Sequence, residues 1–308
     1  MNHPHDGHAE SAQHSSPLLV FFSSPWLVFF TNKIGERFFS RIARLVLLSG
    51  FYFFFCPYTF AQHPLVGTWE MVSIKGINVD GELFFVDTTA VRETKIITPT
   101  HYILIARDVR GDSLVFNRAY AGKIKLEGNH YNEIPTQASV QIFDNVRTDF
   151  TWKVQGDTFT QSGTFTRPDG KTITLEAMVF RRVKSAHRYP RNPAIGAWSQ
   201  LSSSYTNFDG TKDSHTNKTT TRFHMITPTH WMRISHRDGK FEHAMGGTYT
   251  QRNGKTFPII TYSSSYFAPV KTMELIEKVD GDKLHVQGEM IALDGKKFTW
   301  DDLFERVH

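Results

Sequence analysis

From Pro64 onward the chain alternates apolar and polar residues with a period of two and carries almost no 3.6-residue periodicity, as half-buried β-strands require. The runs from Tyr102 to Ala106 and from Thr158 to Ser162 are typical. Between such runs lie Asp80-Gly81, Gly128-Asn129, Gly156-Asp157, Asp169-Gly170, Asp209-Gly210, Asp238-Gly239, Asn253-Gly254, Gly281-Asp282 and Asp294-Gly295. Asp-Gly and Asn-Gly supply the positive φ angles of tight hairpins, so turns at this regular spacing predict an antiparallel meander. Such a meander closes most simply into an up-and-down barrel, which leaves no open edge.

The pattern occurs twice. Pro64 to Trp69 recurs as Pro193 to Trp198, and Ile97-Thr-Pro-Thr-His101 recurs as Ile226-Thr-Pro-Thr-His230, both displaced by 129 positions. Val154 to Asp157 matches Val279 to Asp282, and Asp169-Gly-Lys171 matches Asp294-Gly-Lys296, both displaced by 125. Phe180 to Val183 likewise matches Phe304 to Val307. Ordered matches with one small slip indicate duplication of a whole domain. The predicted fold is therefore all-β: two tandem antiparallel up-and-down β-barrels, spanning 62–184 and 193–308. A basic linker with Pro190 at 185–192 joins them.

Gly67-Thr-Trp69 and Gly196-Ala-Trp198, at the first strand of each copy, resemble the Gly-x-Trp signature of lipocalins. With the Thr-Pro-Thr-His strand and the late hairpins, the whole is similar to the tandem lipocalin-like domains of secreted Bacteroidetes proteins. The resemblance implies that Trp69 and Trp198 plug the closed ends of the barrels. It also implies that Arg182 and Arg306, from the last strands, lie across those indoles as cation–π partners. The copies are shorter than true lipocalins, and the family's middle Thr-Asp-Tyr motif survives only as Thr148-Asp-Phe150.

Upstream, Lys33, Arg37, Arg41 and Arg44 precede an uncharged run from Leu45 to Ala61. A positive flank, a short apolar stretch and small residues at Thr59 and Ala61 predict a secretory leader at 1–61, cleaved after Ala61. A periplasmic or secreted location follows from it. The other reading is an uncleaved anchor, although the run is short for a membrane span and Pro57 shortens it further. Residues 1–32 are a start-site extension or an unusually long leader.

Removing the leader changes the chemical picture. It takes away Cys56, the only cysteine, and with it any disulfide, thiolate metal site or cysteine nucleophile. It also leaves 31 basic against 27 acidic residues, scattered without a basic aromatic stripe, so no nucleic-acid partner is expected. Membrane contact is expected only through the leader. No phosphate loop, dinucleotide fingerprint or nucleophile elbow occurs, so no cofactor is expected and no catalytic residue is assigned.

The copies differ most on the strand after Thr-Pro-Thr. Alternation puts His230, Met232, Ile234 and His236 on one face and Trp231, Arg233 and Ser235 on the other. Arg233 and Ser235 stand where the first copy has Leu104 and Ala106. An Arg inside a barrel needs an anion, so Arg233 is expected to anchor the acidic end of a ligand, with Trp231 as a flat wall. His224, His230, His236, His243 and His285 make this copy histidine-rich. They lack a His-x-His pair, and residues six apart on a strand lie about 20 Å apart, so no metal site is expected.

The reading is an exported protein that binds a small apolar or amphipathic molecule, with the site in the second barrel at Trp231, Arg233, His230 and His236. Two alternatives stay open. One is an enzyme (isomerase, hydratase or carbohydrate-active) using His and Arg in the same cavity. The other is a structural envelope module without ligand.

Overall fold

The computed structural model describes residues 63–140, 145–184, 192–265 and 270–308. The leader, its cleavage point and most of the linker lie outside the described residues. The first copy forms β1 (Gly67–Ile77), β2 (Leu83–Asp87), β3 (Val91–Ile97), β4 (His101–Arg110), β5 (Ser113–Glu127), β6 (His130–Ala138), β7 (Arg147–Gln155), β8 (Thr158–Thr166) and β9 (Thr172–Arg182). The second copy forms β10 (Gly196–Thr206), β11 (Lys212–Thr216), β12 (Thr220–Ile226), β13 (His230–Arg237), β14 (Lys240–Arg252), β15 (Lys255–Ser263), β16 (Val270–Asp280), β17 (Lys283–Ala292) and β18 (Lys297–Arg306).

Each copy is an antiparallel meander closed by β1 on β9 or by β10 on β18. β2 and β3 pair with opposite halves of β1, as β11 and β12 do with β10. Each pair is thus one broken strand, and both barrels are eight-stranded. The fold is two tandem lipocalin-like barrels. The thinnest ladder in the second barrel is β15 on β16, held by Thr256 opposite Leu275.

The Gly-x-Trp motif has a direct physical reason. Trp69 and Trp198 are fully buried, and their indole N–H groups donate to Leu65 O at 2.8 Å and Ala194 O at 2.7 Å. The Arg182 and Arg306 guanidinium carbons lie 4.0 and 4.1 Å from the indole centres. Both also donate to the entering chain, Arg182 to Val66 O and Arg306 to Ile195 O. Gly67 and Gly196 have φ of 146° and 144°, and a Cβ at either would stand 2.5 Å from the arginine Nη1. Gly196→Ala is accordingly expected to cost about 1–3 kcal/mol of stability through backbone strain and a displaced Arg306. Thermal unfolding of the variant checks this.

The barrels pack side by side through their outer faces. Ile96, Ile103, Ile105 and Ala119 meet Phe223, Met225, Met232 and Ile234 in one buried cluster. The contact continues through Thr68 Oγ1 to Thr227 Oγ1 at 2.8 Å and through the stacked rings of Phe116 and Phe241. Arg107 lies 4.5 Å from the Tyr262 ring and donates to Thr261 O. β4 and β13 are therefore dry on both faces over much of their length, which is why they carry nearly unbroken buried runs.

Candidate functional site

Strand alternation sets the interior of the second barrel. Because Trp198 points inward and sits opposite His224, the inward set on β12 is Arg222, His224 and Ile226. Pairing of β12 with β13 places His224 opposite Arg233, so Trp231, Arg233 and Ser235 also point inward. His243 on β14 lies opposite Ser235. From β18 comes Asp302, opposite Ser203.

Three adjoining spaces fill this barrel, and Arg233 lines all of them. The innermost is a chamber of about 30 Å³ with His224, Trp231, Tyr249, Leu275 and Phe304 in its wall. Above it lies a cavity of about 260 Å³ with Arg222, Glu242, His243, Phe298 and Asp302. At the mouth, about 810 Å³ opens between Phe208, Met245, Val270, Leu293 and Lys296. The polar groups gather in the middle cavity, between a largely apolar chamber below and a mouth where apolar side chains mix with Asp294 and Lys296, so polar and apolar walls adjoin as an amphipathic molecule needs.

The charges inside are not all paired directly. Arg222 Nη1 donates to both oxygens of Asp302 at 3.2 Å, and Arg237 pairs with Glu242 at 2.8 Å. Arg233 forms no ion pair or hydrogen bond among the described residues, and its buried Nε has no partner. Burial, with Arg222 nearby and against the attraction of Asp302 and Glu242, lowers its pKa to about 9, so it still carries its charge at neutral pH. Burial, followed by the charges of Arg233 and Arg222, lowers His224 to about 3 and His243 to about 2. Both imidazoles are neutral. Burial also pushes the Glu277 carboxyl up, against a hydrogen bond from Thr256. Arg233 thus remains without a direct partner beside a partly apolar cavity, attracted at longer range by Asp302 and Glu242.

The predicted site residues divide. Trp231 and Arg233 meet in the cavity. His230 and His236 point to the opposite side of β13, at the contact between barrels. His230 Nδ1 lies 3.0 Å from Thr229 Oγ1, and His236 Nε2 lies 2.8 Å from Ala138 O in the first barrel. Alternation forces this, since residues one apart on a strand face opposite ways. In their place the barrel presents His224 and His243, which sequence reasoning held only as members of a histidine-rich set. Arg222 and Asp302 lie 80 positions apart in the chain, and only the strand pairing joins them.

Two further arrangements have no open chemistry. Ser235 Oγ lies 3.4 Å from His243 Nε2, with Glu242 Oε2 at 3.7 Å from its Nδ1. Ser235, however, is fully buried and holds Arg222 Nε, so it does not face the cavity. An outer groove of about 730 Å³ carries Glu274, Glu289 and Asp301, but each is paired, with Lys255, Lys297 and His285. No group of three His, Cys, Asp or Glu among the described residues is arranged to hold a metal.

No protein-family model matches the chain, and no curated protein matches it in sequence. Among solved structures, it is similar to a protein of unknown function from the DUF3598 family of Nostoc punctiforme, at 12% identity over 79% of this chain and 97% of that one, with a TM-score of 0.24. It is also similar to kievitone hydratase from Nectria haematococca, at 13% identity over 80% of this chain and 90% of that one, with a TM-score of 0.22. A third is transferrin binding protein B from Haemophilus parasuis, at 7% identity over 78% of this chain and 75% of that one, with a TM-score of 0.24. At these scores the barrel assignment rests on the strand order and closure of the chain itself.

Proposed function

We propose that the protein is an exported carrier of a small amphipathic molecule with a single negative charge, held in the second barrel. It would then be a tandem barrel of the secreted Bacteroidetes type that the Gly-x-Trp resemblance suggests. The observation that carries the reading is Arg233: a buried charged side chain lining all three spaces of the barrel, with no direct ion pair or hydrogen bond among the described residues. A buried cation of this kind is costly unless an anion neutralises it, and a ligand carboxylate or phosphate monoester would do so. Trp231 stands beside it as a flat wall, and Met245, Val270 and Leu293 suit an alkyl or aryl tail. Carriage is favoured over catalysis because His224 and His243 are weak bases and Ser235, the serine within reach of His243, is walled off.

Arg233→Leu, which installs the residue of the first copy, tests the site. Binding of decanoate to the folded protein is expected to weaken by about 2–5 kcal/mol, some thirtyfold to several thousandfold. Calorimetric titration measures the loss. Unchanged decanoate affinity in that variant would remove the anion site. Export is tested separately by intact mass, with secreted material expected to begin at Gln62. A mature chain that keeps 45–61 would make the leader an anchor.

A further inference from the structure

Both barrels are thinnest at the same place in the wall. In the first, β6 meets β7 through His130 opposite Thr151 and Tyr131 opposite Phe150; in the second, β15 meets β16 through Thr256 opposite Leu275. Every other pair of neighbouring strands forms a longer ladder among the described residues. Tyr131 and Phe150 correspond to Thr256 and Leu275 with the displacement of 125, so the two seams share a pivot. Two residues beyond it the copies diverge. In the first barrel the Glu133 N–H donates to Thr148 Oγ1 at 2.7 Å, and that hydroxyl donates to Glu133 O at 2.9 Å. One side chain stitches the strands by taking both roles of a backbone partner. In the second barrel the same positions hold Pro258 and Met273. Proline has no N–H to give and methionine has no hydroxyl to receive it, so both halves of the stitch are gone.

We infer that the β15–β16 seam is a side gate of the second barrel, opening about the Thr256–Leu275 pivot to join the innermost chamber to the outside through the wall. Pro258 and Met273 line that chamber together with Thr256, Leu275 and Glu277, so the seam is one of its walls. On the outer surface Ile259 and Ile276, one on each strand, stand 50% and 40% exposed. An apolar group passing through the seam therefore meets apolar side chains inside and out. At the pivot, side chains clasp the strands: Lys255 Nζ pairs with Glu274 Oε1 at 2.5 Å, and Thr256 Oγ1 donates to Glu277 Oε2 at 2.6 Å. Beyond it no register pair joins β15 to β16 among the described residues, so opening separates side chains without breaking a ladder. Local openings of this kind are the low-cost motions of a folded protein. In the first barrel the same motion has to break the Thr148 stitch. The gate therefore belongs to the barrel that holds Arg233.

The inference rests on the carrier reading for what passes the gate, and not for the motion of the gate. Restoring the stitch tests it: Pro258→Val with Met273→Thr returns the N–H and the hydroxyl. Hydrogen exchange of the ligand-free, two-barrel protein, followed by mass spectrometry, reads the motion. In the parent, peptides over 256–262 are expected to exchange at least tenfold faster than those over 131–137, and the double variant should bring the two level. Stopped-flow mixing with decanoate, followed by tryptophan fluorescence, reads the traffic. Association and dissociation are both expected to slow at least tenfold in the double variant, with Kd changed less than threefold. If the double variant fails to fold, Thr148→Ala cuts the stitch of the first barrel instead, and exchange over 131–137 should rise at least tenfold. The gate is overturned by equal exchange at the two seams of the parent, by unchanged exchange in the folded variant, or by decanoate rates that stay fast while exchange slows. Failure of decanoate to bind the parent would remove the anion site instead, and exchange alone would then decide the gate.

Discussion

Trp198→Ala is expected to lower the stability of the second barrel by about 3–5 kcal/mol, the usual cost of deleting a buried large aromatic. The value belongs at the upper end for a structural reason. Trp198 is fully buried and holds the entering chain through its bond to Ala194 O. It is also the surface on which Arg306 lies, and Arg306 in turn secures Ile195 O and Pro193 O. Removing the indole leaves a cavity, an unpaired carbonyl and a loosened arginine together. Typical domain stabilities are about 5–15 kcal/mol, so one substitution removes a large fraction. Denaturant titration with probes in each barrel is the measurement. The second barrel should unfold first, and Trp69→Ala should reverse the order. A loss below about 1 kcal/mol would mean that the floor is not a stability element.

Acidification is expected to act as strongly, through four buried histidines. Burial, followed for three of them by nearby cations, holds His101 at about 4, His224 at about 3, His230 at about 4 and His243 at about 2. The cations are Lys123 for His101, and Arg233 with Arg222 for His224 and His243. In the unfolded chain each titrates near 6.5, so between that value and the folded one the unfolded state binds more protons. Stability is therefore complete above pH 6.5 and falls as the pH drops below it. At pH 5 each site contributes up to about 2 kcal/mol of loss, at 1.36 kcal/mol per pH unit. Unfolding free energies at pH 7.5 and pH 5 should differ by several kcal/mol, and His243→Gln should reduce the difference. Equal stabilities at the two pH values would show that these imidazoles charge as freely in the folded protein as outside it.

The class of fold was legible in the sequence, for identifiable reasons. A period of two, hairpin turns at regular spacing and a duplicated Gly-x-Trp are local features, and local sterics and hydrogen bonding decide them. The floor pairs were legible through the lipocalin resemblance, which implies an arginine from the last strand over the Gly-x-Trp indole, and Arg182 and Arg306 each stand two residues after the repeated Phe180 and Phe304. That Trp231 and Arg233 share a face also followed from alternation alone. By itself, then, the sequence determined two antiparallel barrels, their floors and the membership of each strand face.

Which face looks into the barrel was decided only by the tertiary structure. Alternation sorts side chains into two sets but does not label the sets, and burial labels them only when one side is wet. In β4 and β13 both sides are dry, one against the barrel interior and one against the neighbouring barrel. His230 and His236 therefore carry the same polar signal as His224 and His243, yet the packing of one barrel on the other turns them away from the cavity. That Arg233 is left without a direct partner was equally out of reach, because it follows only after Arg222 finds Asp302 and Arg237 finds Glu242. Those partners meet only when the sheet closes, so the directly unpaired Arg233 is a property of the closed barrel and not of any segment of the chain.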